Sequence, residues 1–362
     1  MMEEVLNKRN LVMLLNEIEN QDIDEFEIRE PYFNNRLLKV KIKDEEYEIE
    51  LSSKKNLEVP VSKEEYWDEK EIPGFNEYKE CLISSGLVDF QNWNDFKDWI
   101  HYFYKSEKEP GLSSESVFLT IDTNIAYYRL ISRRFPLRYD GTKIRSEDFD
   151  YLLSSIVEGE IDHHIRDKYH KSDLKMMGLH SKIGDIRYKF RNRGTLETRK
   201  AKFATEELNH LRGELNAARI KGNASKTDSE KNDIRIVESL EKFGWDKNID
   251  VALISTDRNM ANHAENSEVP FFILEMPHKL QRKNVVGDET LLNLLHDLAL
   301  MFGAVQIPEL STTLFGIWGG KKDSHYSHEC VKLWINPGSS LESPLKRDVK
   351  VINSLSKAKS LD

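Results

Sequence analysis

The chain has 362 residues, a formal net charge of −10, 39% hydrophobic and 32% charged residues, and two cysteines. That length predicts two or three domains with real apolar cores. No window approaches the roughly 20 consecutive apolar residues of a membrane span. Cys81 and Cys330 are too few and too distant for a disulfide framework, and the acidic N-terminus lacks the apolar run of a secretory signal, so a cytoplasmic setting is expected.

In chain order, residues 1–18 carry apolar positions at helical spacing. Leu37–Ile42 and Tyr47–Leu51 alternate around a Lys-Asp-Glu-Glu turn and predict a β-hairpin. Helices are expected near Asn76–Ser85 and over the aromatic stretch Asn94–Lys105, with a Pro- and Ser-containing linker at Glu107–Ser116. Residues 1–112 therefore form an expected N-terminal α+β domain of unknown role.

From Ser116 the pattern changes. Val117–Ile121 is a short apolar run, as in a buried parallel strand, followed by a helical pattern over Ile125–Phe135. Tyr151–Leu153 leads into helical spacing over Ile156–Tyr169. A long polar helical stretch spans about 171–222, and Gly222–Lys231 is a loop. Ile234–Phe243 is helical, and Ile249–Ile254 and Val269–Leu274 are strands. Strands alternating with helices predict an α/β domain with a largely parallel sheet. Beyond it, residues 278–362 predict an apolar helix at Glu289–Phe302, a hairpin of Leu314–Trp318 with Cys330–Ile335, and a Ser/Lys-rich tail that frays after Pro337.

The acids of the α/β region fall where such folds place their sites, outside the carboxyl ends of strands. Asp122 ends the first strand and Asp257 follows a later one. Glu160 lies in the helix after the second strand, and Asp233 is expected to open a helix. Carboxylates gathered there repel one another and raise each other's pKa. A hard divalent cation relieves that repulsion, and oxygen-only ligands suit Mg²⁺ or Mn²⁺. Metal-assisted phosphodiester hydrolysis is the chemistry such a set suggests. Set against this, Asp122, Asp233 and Asp257 are each also candidates for ordinary helix caps. Glu158, Asp162 and Asp228 stand as alternatives for the second and third acids. A phosphatase that opens on strand-Asp needs a second Asp two residues on, where this chain has Asn124.

Four ordered blocks resemble the PIN domain family. They are Ile121-Asp122-Thr123-Asn124, Val157-Glu-Gly-Glu160-Ile161-Asp162, Asn232-Asp233-x-x-Ile236, and Ser255-Thr256-Asp257-Arg258-Asn259-Met260 followed by Val269-Pro270-Phe-Phe-Ile. The second block is similar to that of larger members, where Glu-Leu-Asp is common. The resemblance implies a PIN-like three-layer α/β/α domain over 115–277, flanked by the N-terminal α+β domain and a C-terminal α+β extension. It implies a metal-dependent endoribonuclease acting on single-stranded RNA, with Asp122, Glu160, Asp233 and Asp257 as metal ligands. Asn124 would orient the first carboxylate or substrate, and Thr123 and Thr256 are candidate supporting hydroxyls. The 72 residues between Glu160 and Asp233 exceed the spacing in small members.

Within that spacing the charge reverses. Ile186–Lys202 holds Arg187, Lys189, Arg191, Arg193, Arg199, Lys200 and Lys202 against one acid, Glu197. With Tyr188, Phe190 and Phe203 this predicts a basic helical insert, about 165–225, that tracks a nucleic-acid backbone; the plain alternative is a solvated helical face. His163-His164 and His325-x-x-His328 are expected to be structural. A catalytically silent scaffold and the same chemistry on DNA remain open at this stage, and the flanking regions are candidates for homodimerisation.

Overall fold

The structure, a computed structural model, describes residues 2–43, 46–57, 72–108, 117–222 and 229–359. The chain divides into two compact units: one of Met1–Leu87, Lys168–Leu196 and Leu280–Asp362, the other of Val88–Asp167 and Glu197–Lys279. The turn residues Asp44-Glu45, the linker core 109–116 and Asp228 lie outside the described residues.

The first segment contains β1 (Met2–Asn7), α1 (Val12–Glu19), β2 (Glu25–Arg29), β3 (Arg36–Lys43), β4 (Glu46–Leu51) and α2 (Phe75–Ser84). The chain then supplies α3 (Trp93–Lys108), β5 (Val117–Ile121), α4 (Thr123–Tyr128), α5 (Leu130–Arg134), β6 (Leu137–Tyr139), β7 (Thr142–Ile144), β8 (Asp150–Ser154) and α6 (Ser155–His164) to the second unit. After α7 (Lys171–His180) come α8 (Leu196–Gly213), β9 (Ala218–Ile220), α9 (Ser229–Lys247), β10 (Asp250–Ser255), α10 (Arg258–Asn266) and β11 (Phe271–Ile273). The last segment holds β12 (Lys283–Val286), α11 (Asp288–Met301), β13 (Ala304–Ile307), β14 (Thr312–Phe315), α12 (Asp323–Ser327), β15 (Cys330–Ile335) and α13 (Glu342–Lys359).

The first unit is built on one antiparallel eight-stranded sheet, ordered β1-β15-β14-β13-β2-β3-β4-β12. Its two ends come from opposite ends of the chain: Met2 pairs Ile335, and Lys283 pairs Glu50. The expected separate N- and C-terminal domains are therefore one body. Each half alone leaves strand edges that only the other half pairs. Met2–Asn7 is a strand and not a helix, because pairing with β15 overrides a weak local pattern. The stretch after Pro337 is not simply frayed: α13 buries Leu345 and Val349. The expected helix at Glu289–Phe302 is amphipathic, yet every residue of α11 from Leu291 to Met301 is buried, Asn293, His296 and Asp297 included. One close approach decides the residue at 316. A Cβ on Gly316 would sit 2.2 Å from the Ala299 carbonyl oxygen and 2.3 Å from Leu300 Cα.

The second unit is an α/β fold. Its main sheet has five strands in the order β11-β10-β5-β8-β9, all paired parallel, and β6 and β7 form a separate antiparallel pair. β5 and β10 are the near-continuous apolar runs expected of strands covered on both faces. Two expectations shift here. The aromatic helix α3 belongs to this unit, where Phe96 and Trp99 each lie 5.4 Å from the Phe272 ring on β11. The expected single helix at 125–135 breaks in two at Arg129, which adopts a left-handed φ of 52°. Glu207 of α8 repairs the break by accepting hydrogen bonds from the Ile131 (2.6 Å) and Ser132 (3.1 Å) amides at the start of α5.

Gly316→Ala forces Cβ into backbone that has no room to yield. It should cost about 3 kcal/mol, the upper range for overpacking. The shift of the urea midpoint of unfolding checks this.

Candidate active site

Asp122 sits at the end of β5, the central strand of the parallel sheet, and is 1% exposed. It is the N-cap of α4, its Oδ1 accepting from the Ile125 amide at 2.7 Å. Its other oxygen accepts from the Ser255 hydroxyl at the end of neighbouring β10. Ser255 in turn accepts from the Asp257 amide at 2.8 Å. Asp257 caps α10 by accepting from Asn259 N at 2.8 Å. The capping reading and the site reading of these two residues are thus compatible. Each carboxylate is held in place by the helix it starts.

Glu160, on α6, is fixed from two sides. Thr123 Oγ1 donates to one oxygen, and Asn232 Nδ2 donates to the other at 2.6 Å. Asn232 is buried on α9. Asp233, the next residue, is the fifth residue of α9, which begins at Ser229, so it does not open the helix as expected. Asn124 is exposed in the first turn of α4.

The acids sense one another. Burial, reinforced by the charges of Asp257 and Asp233, pushes the Asp122 carboxyl up to about 7, against the pull of its bonds to Ser255 and Ile125. Burial, with the charges of Asp257 and Glu160, pushes Asp233 up to about 6, and His263 on α10 opposes the shift. These couplings bring Asp122, Glu160, Asp233 and Asp257 into one electrostatic group at the carboxyl edge of the sheet. Among the described residues, no three Asp, Glu, His or Cys side chains form a ready-made metal-holding cluster. The donor chemistry still fits a hard cation: the groups are oxygen ligands whose shared penalty is negative charge.

The alternatives fare differently. Glu158 is buried and held by Arg212 (2.9 Å) and Arg219 (2.5 Å), so its charge is already matched. Asp162 is exposed. Asn232, Ser255 and His263 were not singled out from sequence. The first two stood inside quoted motifs beside an acid, and only the fold shows that they donate to it.

The basic window does not form one arm. The boundary between the two units falls inside it, so Arg187, Lys189, Arg191 and Arg193 belong to the first unit, and Arg199, Lys200 and Lys202 to the second. Arg199 is 1% exposed, which removes it as a strand contact; its guanidinium is core to α8. Lys200 and Lys202 are half-buried, with Lys200 Nζ 5.9 Å from the Tyr127 ring centre. Arg187 lies over the Tyr188 ring at 4.8 Å, and Lys189 and Arg191 are exposed. His163 and His164 meet edge to face at the end of α6, and His325 stacks on Trp318.

Residues 119–274 match the family model of the PIN domain. No curated protein matches the chain. Among the described residues no helix is long and apolar enough to cross a membrane.

A carboxyl whose folded pKa is raised stabilises the fold below its unfolded value and loses that contribution as pH rises through the folded value. Without metal, the wild-type chain should therefore lose stability as pH rises through about 6 and 7. Asp122→Asn removes the larger of these contributions. In EDTA its urea midpoint should change less than that of wild type between about pH 5 and about pH 8. Parallel midpoints for the two proteins would show that Asp122 carries no such strain.

Proposed function

We propose that this unit, whose residues 119–274 match the family model of the PIN domain, is a metal-dependent endoribonuclease that hydrolyses phosphodiester bonds of single-stranded RNA. The observation that carries this reading is the coupling of Asp122, Glu160, Asp233 and Asp257 at the carboxyl edge of a parallel sheet. A scaffold has no use for neighbouring acids whose charges push Asp122 and Asp233 up. A hydrolase does, because the same repulsion makes a cation welcome.

These four side chains are the ones that would hold Mg²⁺ or Mn²⁺. When bound, such an ion lowers the pKa of a water and offsets charge on the phosphate. The rest is done by the chain. Ser255 and the Ile125 amide fix the two oxygens of Asp122. Thr123 and Asn232 fix the two oxygens of Glu160, so neither carboxylate must reorganise when a ligand arrives. Asn124, exposed in the first turn of α4, would donate to the substrate backbone. Lys200 and Lys202 lie in the same unit and are candidates to meet an RNA phosphate.

Labelled single-stranded RNA and DNA oligonucleotides incubated with Mn²⁺, Mg²⁺ or EDTA test this directly. Cutting of RNA with metal, none in EDTA, and none by Asp122→Asn is expected. Wild-type activity in Asp122→Asn overturns the site. Cutting of DNA alone replaces the substrate, and RNA binding without cutting leaves a scaffold. Asn232→Ala should lower activity about ten- to hundredfold without abolishing it, the usual effect of losing a residue that orients a metal ligand. Cleavage and metal affinity should both fall as pH drops through about 7 and then 6, since Asp122 and Asp233 must be deprotonated to bind a cation. A flat profile across that range would contradict the assignment of these two carboxylates.

A further inference from the structure

The antiparallel sheet of the first unit carries a pocket with no part in the carboxylate site. Side chains alternate along β15, so Lys332 and Trp334 share one face while Val331, Leu333 and Ile335 are buried on the other. The register sets Glu3 of β1 opposite Trp334, and Phe315 of β14 opposite Lys332. With Lys189, Trp318 and Gly319 these residues line a cavity of about 170 Å³.

Its chemistry is mixed in an informative way. Trp334 is the part-exposed ring, and Phe315 and Trp318 are buried in the wall beneath it. The Trp334 indole N–H is buried and has no acceptor among the described residues, a rare condition for a buried donor. Both Lys332 and Lys189 bond Glu3, the latter at 3.4 Å, so the two cations outnumber the carboxylate they share. A third cation is close by: a Cβ on Gly319 would lie 3.7 Å from the Arg193 guanidinium. The Lys189 side chain is 51% exposed and faces water.

A ligand for this pocket needs an aromatic ring, a carbonyl-type acceptor and a negative charge held outside the ring. An apolar cavity of about 150 Å³ takes a benzene ring. One of about 170 Å³ therefore matches a single-ring base in size better than a fused double ring. We infer that this pocket holds one pyrimidine base of a single-stranded RNA, with Lys189 and Arg193 meeting the phosphate beside it. The base stacks on Trp334 over a floor formed by Phe315 and Trp318, and its carbonyl takes the Trp334 N–H. That the strand is RNA rests on the ribonuclease reading above; the pocket itself does not depend on the carboxylates.

The test is binding of short oligo(U), oligo(C) and oligo(A) RNAs to the full chain in EDTA, read by fluorescence anisotropy. Wild type should prefer the pyrimidine strands over oligo(A). Trp334→Leu should lose roughly tenfold in affinity for them, the scale of one base stacked on an aromatic ring. Trp334→Phe keeps a ring, lacks the donor and should fall between; it also guards against a misfolded leucine variant. Lys189→Ala, at an exposed position, should reduce the slope of log affinity against log salt by about 0.7, one single-strand phosphate contact. Equal binding of oligo(A), no binding of any strand, or wild-type binding by both Trp334→Phe and Lys189→Ala overturns the inference. Pyrimidine preference without metal-dependent cutting sustains the pocket and sinks the nuclease. Cutting that depends on Asp122 without pyrimidine preference does the reverse.

Discussion

Asp122 is buried at the end of the central strand of a parallel sheet, and the arrangement around it follows from the cost of ionising a carboxylate there. Burial disfavours the charge, and neighbouring acids disfavour it further. The fold offsets part of that cost with a helix-start amide and a serine hydroxyl from the adjacent strand. Those same bonds leave the carboxylate with one orientation. Glu160 receives equivalent treatment from Thr123 and Asn232. A site strained electrostatically but rigid in geometry is prepared for positive charge, and this is the sense in which the fold implies chemistry.

The α/β unit was legible where local pattern and final environment agree. β5 and β10 are buried on both faces, so their apolar runs announced them, and the acids at their ends fell where strand ends must be. Boundaries and partners were less legible. Asp233 looked like a helix start because an Asp after a loop usually is, yet α9 extends a turn further back. Asn232 and Ser255 were unremarkable as letters. Their roles depend on which strand or helix lies beside them, and no local pattern encodes that. Arg199 carries the same lesson in reverse. A cation in a basic run reads as surface, but its position on α8 turns it inward.

The flanking regions were misread for a different reason. Each of their strands is short, and its partner is remote in sequence: β1 pairs β15, and β4 pairs β12. Residues 1–87 and 280–362 therefore look like two incomplete domains when taken in order, and only the pairing shows one sheet. The segment 168–196 belongs to that body too. What read as one basic insert in the α/β unit is shared between two bodies.

The pairing of Met2–Asn7 with Cys330–Ile335 has a consequence for synthesis on the ribosome. β1 has no neighbour on its paired side until β15, more than 300 residues later, has been translated. The parallel sheet needs only residues up to 273 and can be complete while β15 is still unmade. The antiparallel body closes after it, around contacts more than 300 residues apart in sequence, the slow kind of closure that leaves strand edges exposed to other nascent chains in the meantime.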